Sequence, residues 1–312
     1  MGKNLSILLL LIIALPIIFY LFLPRANFSF PTPLVKTSTT EPTPISPPAT
    51  ITLLAVGDLS LSREINYQIK QKQNPHFPFE EVASLIKEAD WAIANLEGPV
   101  INHCPILRTG YKFCGEIQNL DGVAMAGFDS LNLANNHINN FGSLGLDQTI
   151  QALEARNLKF FGLGKISLQT LKEIKLAFLG FDDTLAPLDQ KQLKLEIEKA
   201  DQLADWVIIN FHWGQEYQKQ PNLAQKEIAK LAIKAGADII IGHHPHVVQP
   251  LEFLEGKPVF YSLGNFVFDQ LWSPDTRKGG LAKITLSKDK IIKAEIISTY
   301  INDQYQVELL NQ

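Results

Sequence analysis

With 312 residues, 46% of them hydrophobic, the chain is long enough to bury one large core or two smaller ones and reads as a globular protein with appendages. Its 32 acidic and 28 basic residues leave a formal charge of -4. No block of Lys or Arg is present to neutralise a phosphate backbone, which excludes nucleic acid as a partner.

The uncharged run Leu5 to Leu23, between Lys3 and Arg25, is about one bilayer thickness as a helix. It ends in Leu-Phe-Leu-Pro-Arg and not in the small residues of a cleavage site, so residues 1–25 are expected to be an uncleaved membrane anchor. A buried core helix is the alternative, and Pro16 kinks the helix in either setting. Nearly all of the chain follows this run, and short N-termini usually stay in the cytoplasm. The expected location is the cell membrane, single-pass, with the C-terminal domain extracytoplasmic. Residues 26–50 are too rich in Pro, Thr and Ser to bury apolar surface and should form an extended spacer. The folded domain is expected over residues 51–312.

That domain opens with ITLLAVGD, an apolar run that delivers Asp58 to a strand end. Four later runs do the same. WAIANLEG ends in Asn95 and Glu97, DSLNLANNH in Asn136 and His137, DWVIINFHWG in His212, and ADIIIGHHPH in His244 and His246. Helix-like spacing lies near 79–88, 144–155, 188–203 and 223–235. The alternation predicts an α/β domain whose largely parallel sheet gathers these strand ends at one edge, where ligands bind. From Lys257 the strands shorten and turn like hairpins, which predicts a second sheet of antiparallel character packed on the first. Cys104 and Cys114 form a disulfide if the domain is exported; two free thiols or a metal pair are the competing readings.

A single Asp at a strand end often only caps the next helix. Five strand ends carrying metal-capable side chains are a stronger signal. Three of the seven histidines fall in Gly242-His243-His244-Pro245-His246, where His244 and His246 project to the same side of an extended segment; a solvated turn is the bland reading. Asn135-Asn136-His137 offers an Asn carbonyl and an adjacent imidazole, or a turn. His212 is a further imidazole or a satisfied core histidine. Glu97, before Gly98 and Pro99, can bridge two cations about 3.5–4 Å apart. Asn265, in Ser262-Leu263-Gly264-Asn265-Phe266, can orient a ligand or simply build a turn. A mixed Asp, Glu, Asn and His set suits Mn, Zn or Fe better than Mg or Ca.

Taken in order, these motifs resemble the CapA-type bacterial capsule synthesis proteins, the poly-gamma-glutamate capsule biosynthesis proteins related to calcineurin-like metallophosphoesterases. The resemblance spans about Ile51 to Leu286, and it implies a four-layer α/β/β/α sandwich binding one or two divalent metal ions. By position, Asp58 and His246 look like ligands of one metal, and Asn136, His212 and His244 like ligands of the other, with Glu97 shared. His137 resembles the general acid of a hydrolysis by metal-activated water; Asn95, Asn135, Asn140, His243 and Asn265 take supporting or substrate-facing places. Two positions depart from the phosphoesterase pattern. Ser60 stands where a His is usual, and Asn140 stands where an Asp is common, which removes a charge that would raise the pKa of His137. The implied partners are an anionic polymer such as poly-gamma-glutamate and a membrane synthase. A non-catalytic polymer-handling subunit and an exported phosphatase unrelated to capsule are the rival readings.

Overall fold

The computed structural model describes residues 49–310 together with Ser29. The expected anchor and spacer otherwise lie outside the described residues, among which no helix is long and apolar enough to cross a membrane.

Alternation along the strands explains the layers. In the strand Ile51–Leu59, Leu53 and Ala55 turn into one core while Leu54 and Val56 turn into another. In the strand Trp206–His212, Ile208 faces the first of these cores and Val207 and Ile209 face a third. Both strands are apolar on both faces because each is covered on both, which is why they read as continuous hydrophobic runs. The shared core lies between two sheets, where Leu53, Ile93 and Phe161 from one meet Phe178, Ile208 and Ile241 from the other. Helices cover the outer faces. Arg63–Lys72, Leu120–Ala126 and Gly142–Glu154 pack Ile65, Val123 and Leu153 on the first sheet, and Gln190–Asp201 and Leu223–Lys234 pack Ile197 and Ala229 on the second. Helix, sheet, sheet, helix is the resulting order. The last two helices start at side-chain caps, Asp189 and the Asn222–Gln225 capping box, each worth about 1 kcal/mol.

The division of strands between the sheets differs from the expectation. The first sheet runs Val307–Leu309, Ile291–Ile301, Lys278–Leu286, Ile51–Leu59, Trp91–Leu96, Ser130–Asn132, Lys159–Phe161, so the C-terminal strands extend it, each antiparallel to its neighbour, beginning with Lys278–Leu286 against Ile51–Leu59. The second sheet is mid-chain: Leu251–Leu254, Lys257–Phe260, Ile239–His243, Trp206–His212, Ile174–Asp182, Ser167–Leu171. The five strand ends therefore come from two sheets, not from one edge. The chain changes sheets between Lys159–Phe161 and Ser167–Leu171, where Gly162, Leu163 and Gly164 take φ of 92°, 56° and 81°; the hairpin Ser167–Leu171/Ile174–Asp182 that follows lies within the second sheet. The helix expected near 79–88 is a tight turn, Phe77–Phe79, followed by the short helix Ala83–Lys87.

One close approach aims the first strand end. A Cβ on Gly57 would lie 2.0 Å from the Gly264 carbonyl oxygen, and Asp58 N–H donates to that same oxygen at 2.9 Å. Glycine at 57 lets the turn at Gly264 seat against the strand and hold Asp58 in place.

Candidate functional site

Asp58 leaves the strand Ile51–Leu59 just past a register shift against Trp91–Leu96, and it is fully buried. Its Oδ1 accepts from Asn95 Nδ2 at 2.9 Å and its Oδ2 from the His244 N–H at 3.2 Å. His246 Nδ1 lies 3.2 Å from Oδ2, and His243 Nδ1 3.5 Å from Oδ1. Burial pushes this carboxyl up, but His243 and His246 outweigh it and hold it well below the usual carboxylate range.

Glu97, at the end of Trp91–Leu96, is placed by its own N–H donating to the Leu59 carbonyl at 2.9 Å. It is 1% exposed, and neither carboxylate oxygen has a hydrogen-bond partner. The imidazole Nε2 atoms of His246 and His137 stand 3.7 and 3.9 Å from its Oε1. Burial, with Asp58 adding to it, raises the carboxyl well above its ordinary value although His246 opposes the shift. A buried carboxylate costs several kcal/mol unless compensated, so this residue is built for a cation.

Asn amides scaffold the floor. Asn95 Oδ1 accepts from Asn132 Nδ2 at 3.0 Å and Asn135 Nδ2 at 3.3 Å; Asn135 Nδ2 also donates to the Leu96 carbonyl at 2.9 Å. Asn136 and His137 follow. Asn136 Oδ1 lies 3.0 Å from Nε2 of the fully buried His212, whose Nδ1 is 3.3 Å from Asn95 Nδ2. Burial, then the neighbouring His244, lowers the His212 pKa well below its usual value.

Two tautomers are fixed by neighbours. Asn140 Oδ1 accepts the Phe113 N–H at 2.7 Å, so it is an acceptor for His137 Nδ1 at 3.1 Å, leaving the His137 Nε2 lone pair toward Glu97 in the neutral ring. The ring stacks on Phe113 at 3.8 Å, and burial lowers its pKa despite the opposing contact with Asn140. Asn265 Nδ2 donates to Gln270 Oε1 and to the Thr276 carbonyl, which makes its Oδ1 the acceptor for His246 Nδ1 at 2.9 Å and turns Nε2 inward. Burial pushes the His246 imidazole down, but Glu97 and then Asp58 raise it to about 9. His243 points its Nε2 at Asn210 Oδ1, 3.0 Å away, beneath the site.

The structure thus gathers every residue singled out from the strand ends. Asp58, Glu97 and His212 have donor atoms within 4.8 Å of one another; Asn136, His137, His244 and His246 adjoin them; Asn95, Asn135, Asn140, His243 and Asn265 buttress the ring. Ser60 does not take part, its hydroxyl lying 2.8 Å from that of Ser62. Cys104 and Cys114 form a disulfide with Cα atoms 6.0 Å apart. The segment it closes forms one wall of a cleft of about 350 Å³ that opens over His137 and His246, beside Arg63, Tyr111, Tyr217 and Trp272. A larger cleft of about 540 Å³ runs past Glu154, Lys159 and Lys165 and contains no histidine.

Sequence reasoning missed four contributors. Glu216 has a donor atom within 4.8 Å of donors on His244 and His246. It follows Gly214 by two residues after a strand end, the same kind of signal that exposed Glu97. The other three, Arg63 paired with Asp269 and the buried amides of Asn132 and Asn210, carry no local signature.

Residues 52–270 match the family described as bacterial capsule synthesis protein PGA_cap. The chain is 33% identical over 251 residues to the capsule biosynthesis protein CapA of Bacillus anthracis, covering 72% of this chain and 61% of that protein, less than two thirds of its length. It is 33% identical over 325 residues to the PGA biosynthesis protein CapA of Bacillus subtilis, covering 93% of this chain and 80% of that one. Among solved structures, a phosphatase from Mycoplasma pneumoniae shares the fold with a TM-score of 0.54 at 17% identity, over 83% of this chain and 97% of its own. The chain belongs to the bacterial capsule synthesis family PGA_cap, on a sandwich fold similar to that of a phosphatase.

Proposed function

We propose that the site binds one or two divalent cations, Mn, Zn or Fe in preference to Mg or Ca, and hydrolyses a phosphoester or amide bond during synthesis, export or anchoring of an anionic capsule polymer such as poly-gamma-glutamate. The observation that carries this reading is Glu97, buried with both oxygens unpartnered amid imidazole and carboxylate donors. The 3.0 Å spacing between Asn136 Oδ1 and His212 Nε2 is short enough for both to reach one cation at bonds of about 2.1 Å. Asp58, His246 and Glu97 would hold one cation, and Asn136, His212, His244 and Glu97 the other. A bound cation supplies Lewis acidity and a nucleophilic water at neutral pH. Asn265 orients the His246 imidazole, Asn95 orients Asp58, and His137, clamped between Phe113 and Asn140, faces the cleft to deliver a proton to the leaving group. The domain works outside the cell on a single-pass anchor over residues 1–25, beside a membrane synthase; the disulfide suits that oxidising compartment.

One observation favours a second reading, a polymer-binding accessory subunit without hydrolysis. His137 is held below its usual pKa and neutral, a poor proton donor at neutral pH. The test is His137→Ala in the full chain. Loss of hydrolysis of an aryl phosphate or of polyglutamate by the metal-loaded protein supports the enzyme. Unchanged polymer production in that variant, lost on removal of residues 1–25, supports the subunit. Purified chain that retains neither Mn nor Zn on dialysis sinks both.

A further inference from the structure

We infer that Glu216 is itself a metal ligand, closing the cleft side of the one- or two-cation site where His244 and His246 meet. The inference rests on the metal-binding reading above and adds a residue that none of the strand-end motifs contains.

Glu216, His244 and His246 each place a donor atom within 4.8 Å of the other two. This proximity is fastened by the backbone. The Tyr217 N–H donates to the Pro245 carbonyl at 2.8 Å, and Gln249 Nε2 donates to the Gln218 carbonyl at 2.8 Å, so the loop carrying Glu216 is stitched to the His244-Pro245-His246 turn on both sides. Strain is concentrated at the same contact. Tyr217, His244 and His246 have φ of 64°, 91° and 57°, each a left-handed conformation that costs a side-chain-bearing residue about 1–3 kcal/mol. Such strain persists where the surroundings over-determine the geometry, as a ligand set does.

Among these three residues, His244 keeps a free ring nitrogen: it is 8% exposed, and its Nδ1 has no hydrogen-bond partner. The cations that could neutralise Glu216 are engaged elsewhere, Arg63 with Asp269 and Lys219 with Asp275. Ser60, just past the end of the Asp58 strand, has its hydroxyl 2.8 Å from that of Ser62, so no side chain from that position completes the shell. One carboxylate and two imidazoles form a donor set suited to Zn or Mn.

The experiment compares wild type, Glu216→Gln and Glu97→Met in the full chain by calorimetric titration with Mn²⁺ and with Zn²⁺, alongside the visible spectrum of the Co²⁺-loaded protein. The expected result for Glu216→Gln is at least a tenfold weaker site or the loss of one bound ion, with an altered Co²⁺ spectrum and an unchanged melting temperature of the metal-free protein. Affinity, stoichiometry and Co²⁺ spectrum identical to wild type in Glu216→Gln, while Glu97→Met loses binding, would overturn the assignment and leave the metal site intact. Absence of Mn²⁺ and Zn²⁺ binding by wild type would overturn both.

Discussion

Replacing Glu97 by Met separates the cost of its charge from its use. In the metal-free protein the carboxylate is 1% exposed, its oxygens make no hydrogen bond, and its closest positive partner is His246 Nε2 at 3.7 Å. A buried charge left without a partner costs about 3–5 kcal/mol, and a well-packed apolar side chain of similar volume recovers about 1–4 kcal/mol. With His246 offsetting part of the penalty, metal-free Glu97→Met should be more stable than wild type by about 1–3 kcal/mol, or several degrees in Tm for a domain of this size. The folded pKa of Glu97 is raised, so its stabilising protonated form is present at low pH and lost as pH rises through that value; the advantage of the variant therefore widens toward alkaline pH. Adding Mn²⁺ or Zn²⁺ reverses the order. At one hundred times Kd the wild type gains about 2.7 kcal/mol, and the variant, lacking the central carboxylate, gains none. Differential scanning calorimetry with and without metal reads both effects. A metal-free variant less stable than wild type, or one that keeps the full metal-induced shift, refutes the reasoning.

Three more expectations follow from the same geometry. Because the His246 proton persists to about 9 under the influence of Glu97 and Asp58 and must leave when a metal binds, metal affinity should rise about tenfold per pH unit between pH 6 and 8, as read by chelator competition; a flat profile counts against His246 as a ligand. Asn140→Asp places a carboxylate where Oδ1 now sits 3.1 Å from His137 Nδ1 and should raise the His137 pKa by about one unit or more, followed by its imidazole shifts in NMR. Gly57→Ala drives a methyl group to within 2.0 Å of the Gly264 oxygen and should cost about 3 kcal/mol in urea denaturation, with loss of metal binding through displaced Asp58.

The site was more legible than the fold that carries it. Asp58, Glu97, His212 and His244 announce themselves because a polar, metal-capable residue at the end of an apolar strand breaks the local pattern, and these strands end together. Sheet membership has no comparable local mark. The strand Trp206–His212 reads like Ile51–Leu59, both apolar on both faces, although they sit in different layers. The chain crosses from one layer to the other at residues 162–166, where Gly162 and Gly164 signal a turn but not a change of sheet. The tautomers of His137 and His246 were equally hidden, because they depend on Phe113, Gln270 and Thr276, which are distant from the histidines' own motifs.

The origin of the donors from both sheets makes the site a seam. Asp58, Glu97 and Asn136 belong to one layer and His212, His244 and His246 to the other, so a folding species with only one layer formed owns at most half a chelate. Ion capture is then a late event that registers the docking of the layers. By the same thermodynamics, loosening the interior between them, at Phe178 or Ile241, would be felt as weaker grip on an ion that neither residue touches.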